Sequence, residues 1–191
     1  QLGQTMSEHE LFVVRPVAIN DIADFEHTLE ACDQGNTKVA GFFHEIILMN
    51  YGGIRLTESY LQQAYALCHA HDVPVIVDEI QSCIWSPELF MFREYGLQPD
   101  FVAIGKGFPG GEYPASRVLT TPELDNLNQF GALVTNGQEE LASLAYLVTI
   151  AFAEANRDVT QELGETYEYE LQSLARRYPA IVDRIEGRRH L

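Results

Sequence analysis

Three short apolar runs constrain the fold of this chain more than any other feature of its sequence. Residues 39–45 end in Glu45, residues 75–78 end in Asp78, and residues 101–104 lead through Gly105 into Lys106. Runs of this length, rich in branched and aromatic side chains and followed by turn residues, are typical of buried strands. Helical patterns separate the runs, so the sequence predicts an α/β domain with three αβα layers.

Apolar residues recur at helical spacing in four segments. Asp21 is predicted to cap the first helix, and Thr57 is predicted to cap the second, which ends near His71. The apolar positions of the four segments are Ile22, Phe25, Leu29 and Cys32; Leu61, Ala64, Tyr65 and Cys68; Leu141, Leu144, Ala145, Val148 and Phe152; and Leu163, Tyr167, Leu171 and Leu174.

The link between Lys106 and the next apolar run, residues 116–121, is short. Parallel neighbours in a sheet need a crossover of about a dozen residues or more, usually a helix. The last strand is therefore predicted to run antiparallel to its neighbour, in a mixed sheet that is mostly parallel.

The charge and cysteine content of the chain exclude several classes of partner and site. With 28 acidic and 12 basic residues the net charge is -16, which repels nucleic acid and anionic membranes. No apolar run approaches the ~20 residues that cross a bilayer. The three cysteines include no CxxC pair, which argues against a disulfide framework or a zinc site and favours a reducing cytoplasm. Cys32 and Cys68 are interpreted as core residues, whereas Cys83 stays open.

Glu45, Asp78 and Lys106 each follow a different predicted strand. Ligands of open α/β sheets bind outside the carboxyl ends of the strands, so we expect these three side chains at one binding edge. Taken singly, an acid or lysine directly after a strand is more often a solvated loop residue. Together, a glycine-flanked lysine can form an imine with a carbonyl cofactor, and an aspartate can keep a pyridine nitrogen protonated.

Three motifs carry a resemblance to a known family. They are VDEIQ at residues 77–81, YGLQPD at residues 95–100, and IGKG at residues 104–107 with two glycines at 110 and 111. This pattern resembles the class III aminotransferases of pyridoxal 5'-phosphate (PLP) fold type I. The resemblance implies that Lys106 forms the Schiff base with PLP and that Asp78 binds the pyridine nitrogen. It further implies that Ile80 packs on the cofactor ring and that Gln81 lies near the ring hydroxyl.

Further residues of the candidate site rest on weaker matches. The VTNG segment at residues 134–137 resembles the family's Thr-x-Gly segment, which implies that Thr135 reaches the cofactor phosphate of the adjacent subunit in a homodimer with shared active sites. Thr135 also fits a plain helix cap. Glu45, followed by Gly52 and Gly53, resembles a glutamate near the substrate, or is only a polar strand end. Trp85, in a loop that departs from the family pattern, is a candidate substrate contact or a core residue.

The resemblance implies an enzyme that moves an amino group from an amine or amino acid to a keto acid or aldehyde, with PLP and without a metal. An aminomutase, a racemase, a decarboxylase or a catalytically degenerate PLP-fold subunit remains an alternative, because the visible residues activate the cofactor without choosing the reaction. A nucleotide-binding domain ranks below these, since GxGxxG and GxxxxGK[ST] motifs are absent.

The resemblance also predicts how the chain is organised. Residues 1–191 are expected to be part of the PLP-binding large domain, with residues 155–191 leading toward a C-terminal small domain. A phosphate-binding turn, a ring-stacking aromatic residue and the arginine that binds the substrate carboxylate are expected outside these residues. Arg188 and Arg189 are not assigned to that arginine's role.

Overall fold

The fold is given by a computed structural model that describes residues 12–34, 38–111, 113–128 and 139–191. Within these residues it contains twelve helices, strands and turns of helix. A three-residue 3-10 turn, Met49–Tyr51, is left without a label. In chain order the others are α1 (Ile22–Asp33), β1 (Phe42–Glu45), β2 (Ile47–Leu48), β3 (Ile54–Arg55), α2 (Glu58–Ala70), β4 (Val75–Asp78), α3 (Met91–Glu94), β5 (Phe101–Ile104), β6 (Arg117–Thr120), α4 (Glu140–Ala155) and α5 (Arg157–Arg177).

The central sheet has the strand order β1-β4-β5-β6. β1, β4 and β5 run parallel, and β6 is antiparallel to β5, as the short link after Lys106 predicted. A separate two-stranded sheet pairs β2 with β3. Gly52 and Gly53 turn the chain between these two strands with φ of 81° and 73°, values that favour glycine.

The first strand is shorter than the sequence predicted. It begins at Phe42 instead of residue 39, and its N–H donates to the carbonyl of Pro74 at 2.9 Å. Its partner β4 begins only at Val75. Pro74, directly before β4, has no N–H to donate to the neighbouring strand. The hydrogen-bonded pairing of the two strands, and with it β1, therefore begins only after this position.

Side chains cap the first two helices where the sequence predicted. Asp21 Oδ1 accepts a hydrogen bond from the Asp24 N–H at 3.1 Å, and Thr57 Oγ1 accepts one from the Tyr60 N–H at 3.2 Å. Each cap satisfies an amide that has no partner inside the helix. The helix after Thr57 packs against the sheet through buried Leu61, Ala64 and Cys68.

The last two helices differ from the first two in what they bury. The apolar face predicted for α4 is largely exposed, whereas Ala142, Tyr146 and Thr149 are buried. Periodicity therefore predicted the helix and its extent but not its packing, because a helical pattern does not specify which surface covers the apolar face. Among the described helices, none is both long and apolar enough to cross a membrane.

Candidate active site

The carboxyl ends of three neighbouring strands bring the predicted site residues to one edge of the sheet. Glu45 is in register with Asp78, and Asp78 is in register with Ala103, three residues before Lys106. Burial raises the pKa of Glu45, and the Asp78 charge adds to the rise. The Met49 N–H and the Lys106 charge oppose it. Glu45 therefore experiences the charges of both other residues.

The Asp78 carboxylate uses one of its two oxygens locally. Oδ1 accepts a hydrogen bond from the Ile80 N–H at 2.9 Å, which fixes the turn that follows β4. Within the described part of the chain, Oδ2 makes no hydrogen bond. A half-buried carboxylate oxygen normally has a hydrogen-bond partner. Oδ2 is therefore available to accept a hydrogen bond from a ligand.

Lys106 lies in the turn directly after β5 and is exposed. Its backbone is left-handed, with φ of 50°. Its ammonium makes no hydrogen bond or ion pair with the residues that the structure describes. Lys38, the only other lysine in the sequence, is paired with Asp72 at 2.9 Å. Lys106 is thus the lysine whose amine is available for chemistry.

Ile80, in the turn after β4, lies close to the turn after β5 that carries Lys106. A Cβ placed on Gly105 would lie 3.8 Å from Ile80 Cγ2 and 3.4 Å from the Cβ of Ser116. Ile80 and the residue that precedes β6 therefore both lie beside the turn that carries Lys106. Gln81, the next residue, is half-buried.

His44 is a buried residue that the sequence reasoning missed. Burial lowers its pKa to about 4, so the ring is neutral. Its Nδ1 donates to the Glu45 carbonyl at 3.1 Å, and its Nε2 accepts from the Tyr65 hydroxyl at 2.9 Å. A histidine inside a predicted strand is the only signal for it in the sequence, and that signal says nothing about its partners.

Glu79 is the second residue that the sequence reasoning left without a role. Its side chain is fully buried, although it directly follows a half-buried aspartate. Successive side chains of a strand point to opposite faces. The adjacent acids Asp78 and Glu79 therefore indicated that one of the two points inward. Nothing in the sequence identified its hydrogen-bond partners.

Cys83 is a core residue. Its thiol is buried 4.0 Å from the Gly105 carbonyl, and burial raises its pKa to about 12. A thiol with such a pKa is not a nucleophile at neutral pH. All three cysteines are free.

The aromatic loop separates into a core part and an exposed part. Phe90 is buried and stacks on Phe92 with ring centroids 5.6 Å apart, so Phe90 belongs to the core. Trp85 is 47% exposed, and its ring lies 5.8 Å from that of His190. Thr135 lies outside the described residues.

The C-terminal segment holds its arginines in ion pairs. Arg189 Nη1 lies 2.6 Å from Glu94 Oε2, and Arg188 bonds to both Glu94 and Glu58. A shallow cleft beside them is lined by helix α5 and residues 185–191, and by none of the residues at the strand ends. These arginines join α5 and the chain that follows it to α2 and α3.

The arrangement at the sheet edge fits a planar carbonyl cofactor such as PLP. Among the residues that the structure describes, neither the Lys106 amine nor Asp78 Oδ2 on the neighbouring strand has a hydrogen-bond partner. The branched side chain of Ile80 lies between their turns and offers an apolar surface for a ring. These groups match the carbonyl group, the ring face and the ring nitrogen of such a cofactor.

Comparisons with known proteins agree with this chemistry. The sequence model of the family described as Aminotransferase class-III matches residues 10–189. An acetylornithine aminotransferase from Synechocystis sp. is 27% identical over 175 residues, covering 90% of this chain and 40% of that protein. A putrescine aminotransferase from Pectobacterium atrosepticum is 29% identical over 182 residues, covering 90% of this chain and 38% of that protein.

A solved structure is similar over the same part of the chain. It is an ornithine aminotransferase from Toxoplasma gondii, described with partial occupancy of PLP at its active site. The TM-score is 0.77 at 25% identity, covering 91% of this chain and 40% of that one. The chain therefore spans about two fifths of the length of the relatives it matches.

Proposed function

The chain belongs to the class III aminotransferases, and from this membership we propose that the protein is a PLP-dependent aminotransferase. It moves an amino group from an amine or amino acid to a keto acid or aldehyde. The observation that carries the proposal is the placement, at neighbouring strand ends, of a lysine and an aspartate oxygen that have no partner among the described residues. Both the predicted family and the predicted α/β fold are confirmed by the family match and the solved relative.

Lys106 and Asp78 are proposed as the catalytic residues. When bound, PLP supplies an electron-withdrawing ring that stabilises negative charge on the substrate carbon. Asp78 Oδ2 would hold the proton on the ring nitrogen, while Asp78 Oδ1 stays on the Ile80 N–H. Lys106 Nζ would hold the cofactor through its carbonyl and, where a substrate amine takes its place, would hold the proton taken from the substrate.

Five other residues are proposed to complete the site. Ile80 packs on the ring, and Gln81 lies near the ring hydroxyl. Thr135 binds the cofactor phosphate of the adjacent subunit, which makes the protein a homodimer. Glu45 contacts the substrate, and its position in register with Asp78 supports this role. Trp85 is kept as a substrate contact of lower rank, because its ring contacts His190.

The substrate is proposed to carry a primary amine at the end of an aliphatic chain. The relatives named above are aminotransferases of acetylornithine, putrescine and ornithine, which supports amino transfer over the aminomutase, racemase and decarboxylase alternatives. Three free cysteines support the further proposal of a cytoplasmic location. The large-domain assignment of residues 1–191 is likewise proposed, with residues 155–191 leading toward a small domain.

Steady-state kinetics on the full gene product test the proposed reaction. With PLP present, a panel of terminal diamines as donors and 2-oxoglutarate as acceptor should give parallel double-reciprocal lines, because an amino group carried by the enzyme separates two half-reactions. Bound PLP with no amino transfer to any keto acid or aldehyde would reject the aminotransferase and leave the other PLP reactions. Absence of PLP binding to the folded protein would reject all of them.

A further inference from the structure

The buried carboxylate of Glu79 makes three hydrogen bonds beneath the candidate site. Oε1 accepts from the Phe92 N–H at 2.6 Å. Oε2 accepts from the Met91 N–H at 3.0 Å and from the Ser82 hydroxyl at 2.9 Å. A fully buried acid with both oxygens used in this way is fixed in one position.

These bonds cap a helix that has no cap of its own. Helix α3 begins after Phe90, whose side chain makes no cap hydrogen bond. The first amides of a helix otherwise have no partner, and a carboxylate there is favoured by their partial positive charge. Glu79 supplies this carboxylate from the end of β4 and thereby closes the loop between β4 and α3.

The backbone of Glu79 is held as firmly as its side chain. Its N–H donates to the Ala103 carbonyl at 2.9 Å, which continues the pairing of β4 with β5. Its carbonyl accepts from the N–H groups of Ser82 at 3.2 Å and Cys83 at 2.9 Å. The residue therefore links the sheet, the turn after Asp78 and α3.

The closed loop contains two residues in an unfavourable backbone conformation. Ile84 and Leu89 both have φ of 70°, and the Ile84 N–H donates to the Leu89 carbonyl at 2.7 Å. Branched residues avoid this region, so the conformation persists only where surrounding contacts enforce it. The Glu79 hydrogen bonds at the two ends of the loop are such contacts.

The same loop packs against the turn that carries Lys106. A Cβ placed on Gly107 would lie 3.8 Å from Ile84 Cγ2, and Cys83 Sγ lies 4.0 Å from the Gly105 carbonyl. The loop thus contacts Gly105 through Cys83 and lies beside Gly107 through Ile84. At its start, the Ile80 N–H holds Asp78 Oδ1 at 2.9 Å.

We propose that Glu79 is a positioning residue that sets the relative placement of Asp78 and Lys106 through the loop of residues 80–90. It touches neither the cofactor nor the substrate. The inference rests on the proposed function, because the two residues that Glu79 positions are those assigned to PLP. It assigns a role to the acid that follows Asp78, which the proposed chemistry does not use.

The test compares Glu79→Ala and Glu79→Gln in the full-length protein. Glu79→Ala removes all three hydrogen bonds. Glu79→Gln replaces one of the two accepting oxygens with an NH2 donor, so a side chain in the same position leaves the N–H of either Met91 or Phe92 without its acceptor. We expect Glu79→Ala to weaken PLP binding by about tenfold or more, the effect of losing hydrogen bonds to a buried charge. Both variants should also shift the pH at which the visible absorbance of bound PLP changes.

Leu61→Ala is the matched control. Leu61 is fully buried on α2, outside the loop, and its truncation lowers the melting temperature without touching Asp78 or Lys106. We expect this variant to keep the wild-type Kd for PLP and the wild-type pH profile. Hydrogen exchange of the Met91 and Phe92 amides in the apoprotein should accelerate in the Glu79 variants and stay unchanged in the control.

The outcomes separate the two proposals. If the Glu79 variants and Leu61→Ala change PLP affinity equally at equal loss of melting temperature, Glu79 is merely structural and the inference is wrong. If wild-type protein binds no PLP, the proposed function fails first and the inference fails with it. Should Glu79→Ala not fold, Glu79→Gln and Ser82→Ala decide the question, because each weakens the cluster without emptying it.

Discussion

The edge of the central sheet where the parallel strands begin and the edge where they end both carry lysine and aspartate side chains, but these differ in their hydrogen-bond and ion-pair partners. At the edge where the parallel strands begin, Lys38 pairs with Asp72 at 2.9 Å. Nearby, Asp100 Oδ2 accepts a hydrogen bond from the Val75 N–H at 2.7 Å. Each of these charged groups has a partner that explains its position.

At the opposite edge the same residue types are left available. Within the described residues, Lys106 Nζ has no hydrogen-bond or ion-pair partner, and Asp78 Oδ2 accepts no hydrogen bond. Paired lysines and aspartates contribute to stability, whereas unpaired ones at the carboxyl ends of strands are available to a ligand. The comparison therefore predicts opposite consequences for matched substitutions at the two edges.

The largest expected effect is the loss of amino transfer in Lys106→Ala. Removal of the amine that binds the cofactor and holds the substrate proton should lower kcat by on the order of a thousandfold or more, measured with saturating PLP. Lys38→Ala, at the other edge, should keep wild-type kcat. Equal loss in the two variants would break the comparison.

Asp78→Asn should have the next largest effect. The amide cannot hold a proton on the pyridine nitrogen as a carboxylate does, so kcat should fall by about a hundredfold or more. Asp100→Ala is the matched change at the other edge, and it should cost roughly 1–3 kcal/mol of unfolding free energy while kcat is retained. Urea unfolding and initial rates measure the two quantities, and a reversed pattern would refute the assignment.

His44 sharpens the comparison because it is a fully paired group at the edge of the proposed site. Its pKa falls from 6.5 to about 4 on folding, so the unfolded chain binds the proton first. The neutral ring therefore contributes stability above pH 6.5 that is lost as the pH falls toward about 4. Urea unfolding across this range should show a loss of roughly 1–3 kcal/mol that is absent in His44→Asn.

A control histidine isolates this effect. His27 is exposed on α1, so His27→Asn should keep the wild-type dependence of stability on pH. Identical pH profiles for wild type and His44→Asn would show that burial of the ring does not affect stability.

The smallest effect is expected for the stability of Lys38→Ala. Lys38 and Asp72 have side chains that are 68% and 94% exposed, and exposed ion pairs contribute about 0–1 kcal/mol. Thermal melts should place the variant close to wild type and still closer at high salt, where the pair is screened. A loss well above about 1 kcal/mol would mean that this edge depends on the pair more than its exposure implies.

Sequence reasoning predicted the strand ends well, because short apolar runs and turn residues are local signals. The ends of β4 and β5, both helix caps and the antiparallel β6 are found where the sequence predicted. The predicted beginning of β1 was wrong, because Pro74, just before the neighbouring strand β4, limits where the two strands pair. The exposed apolar face of α4 likewise depends on surfaces that a periodicity does not specify.

Long-range contacts explain why Glu79 and His44 were missed. Glu79 bonds to amides twelve and thirteen residues further along the chain, and His44 bonds to Tyr65 on the next helix. Such partners become visible only once the strands are in register. Lys106 and Asp78 were found because their signal is local, although their roles and that of Thr135 remain predictions.

Chemical mapping of the cofactor decides whether Lys106 is its point of attachment. The full gene product is loaded with PLP, reduced with borohydride to fix any lysine attachment, digested and analysed by mass spectrometry. Since Lys38 and Lys106 are the only lysines in these 191 residues, the account predicts the added mass on the peptide containing Lys106. Modification of Lys38 instead, or of neither lysine in protein that binds PLP, would contradict it.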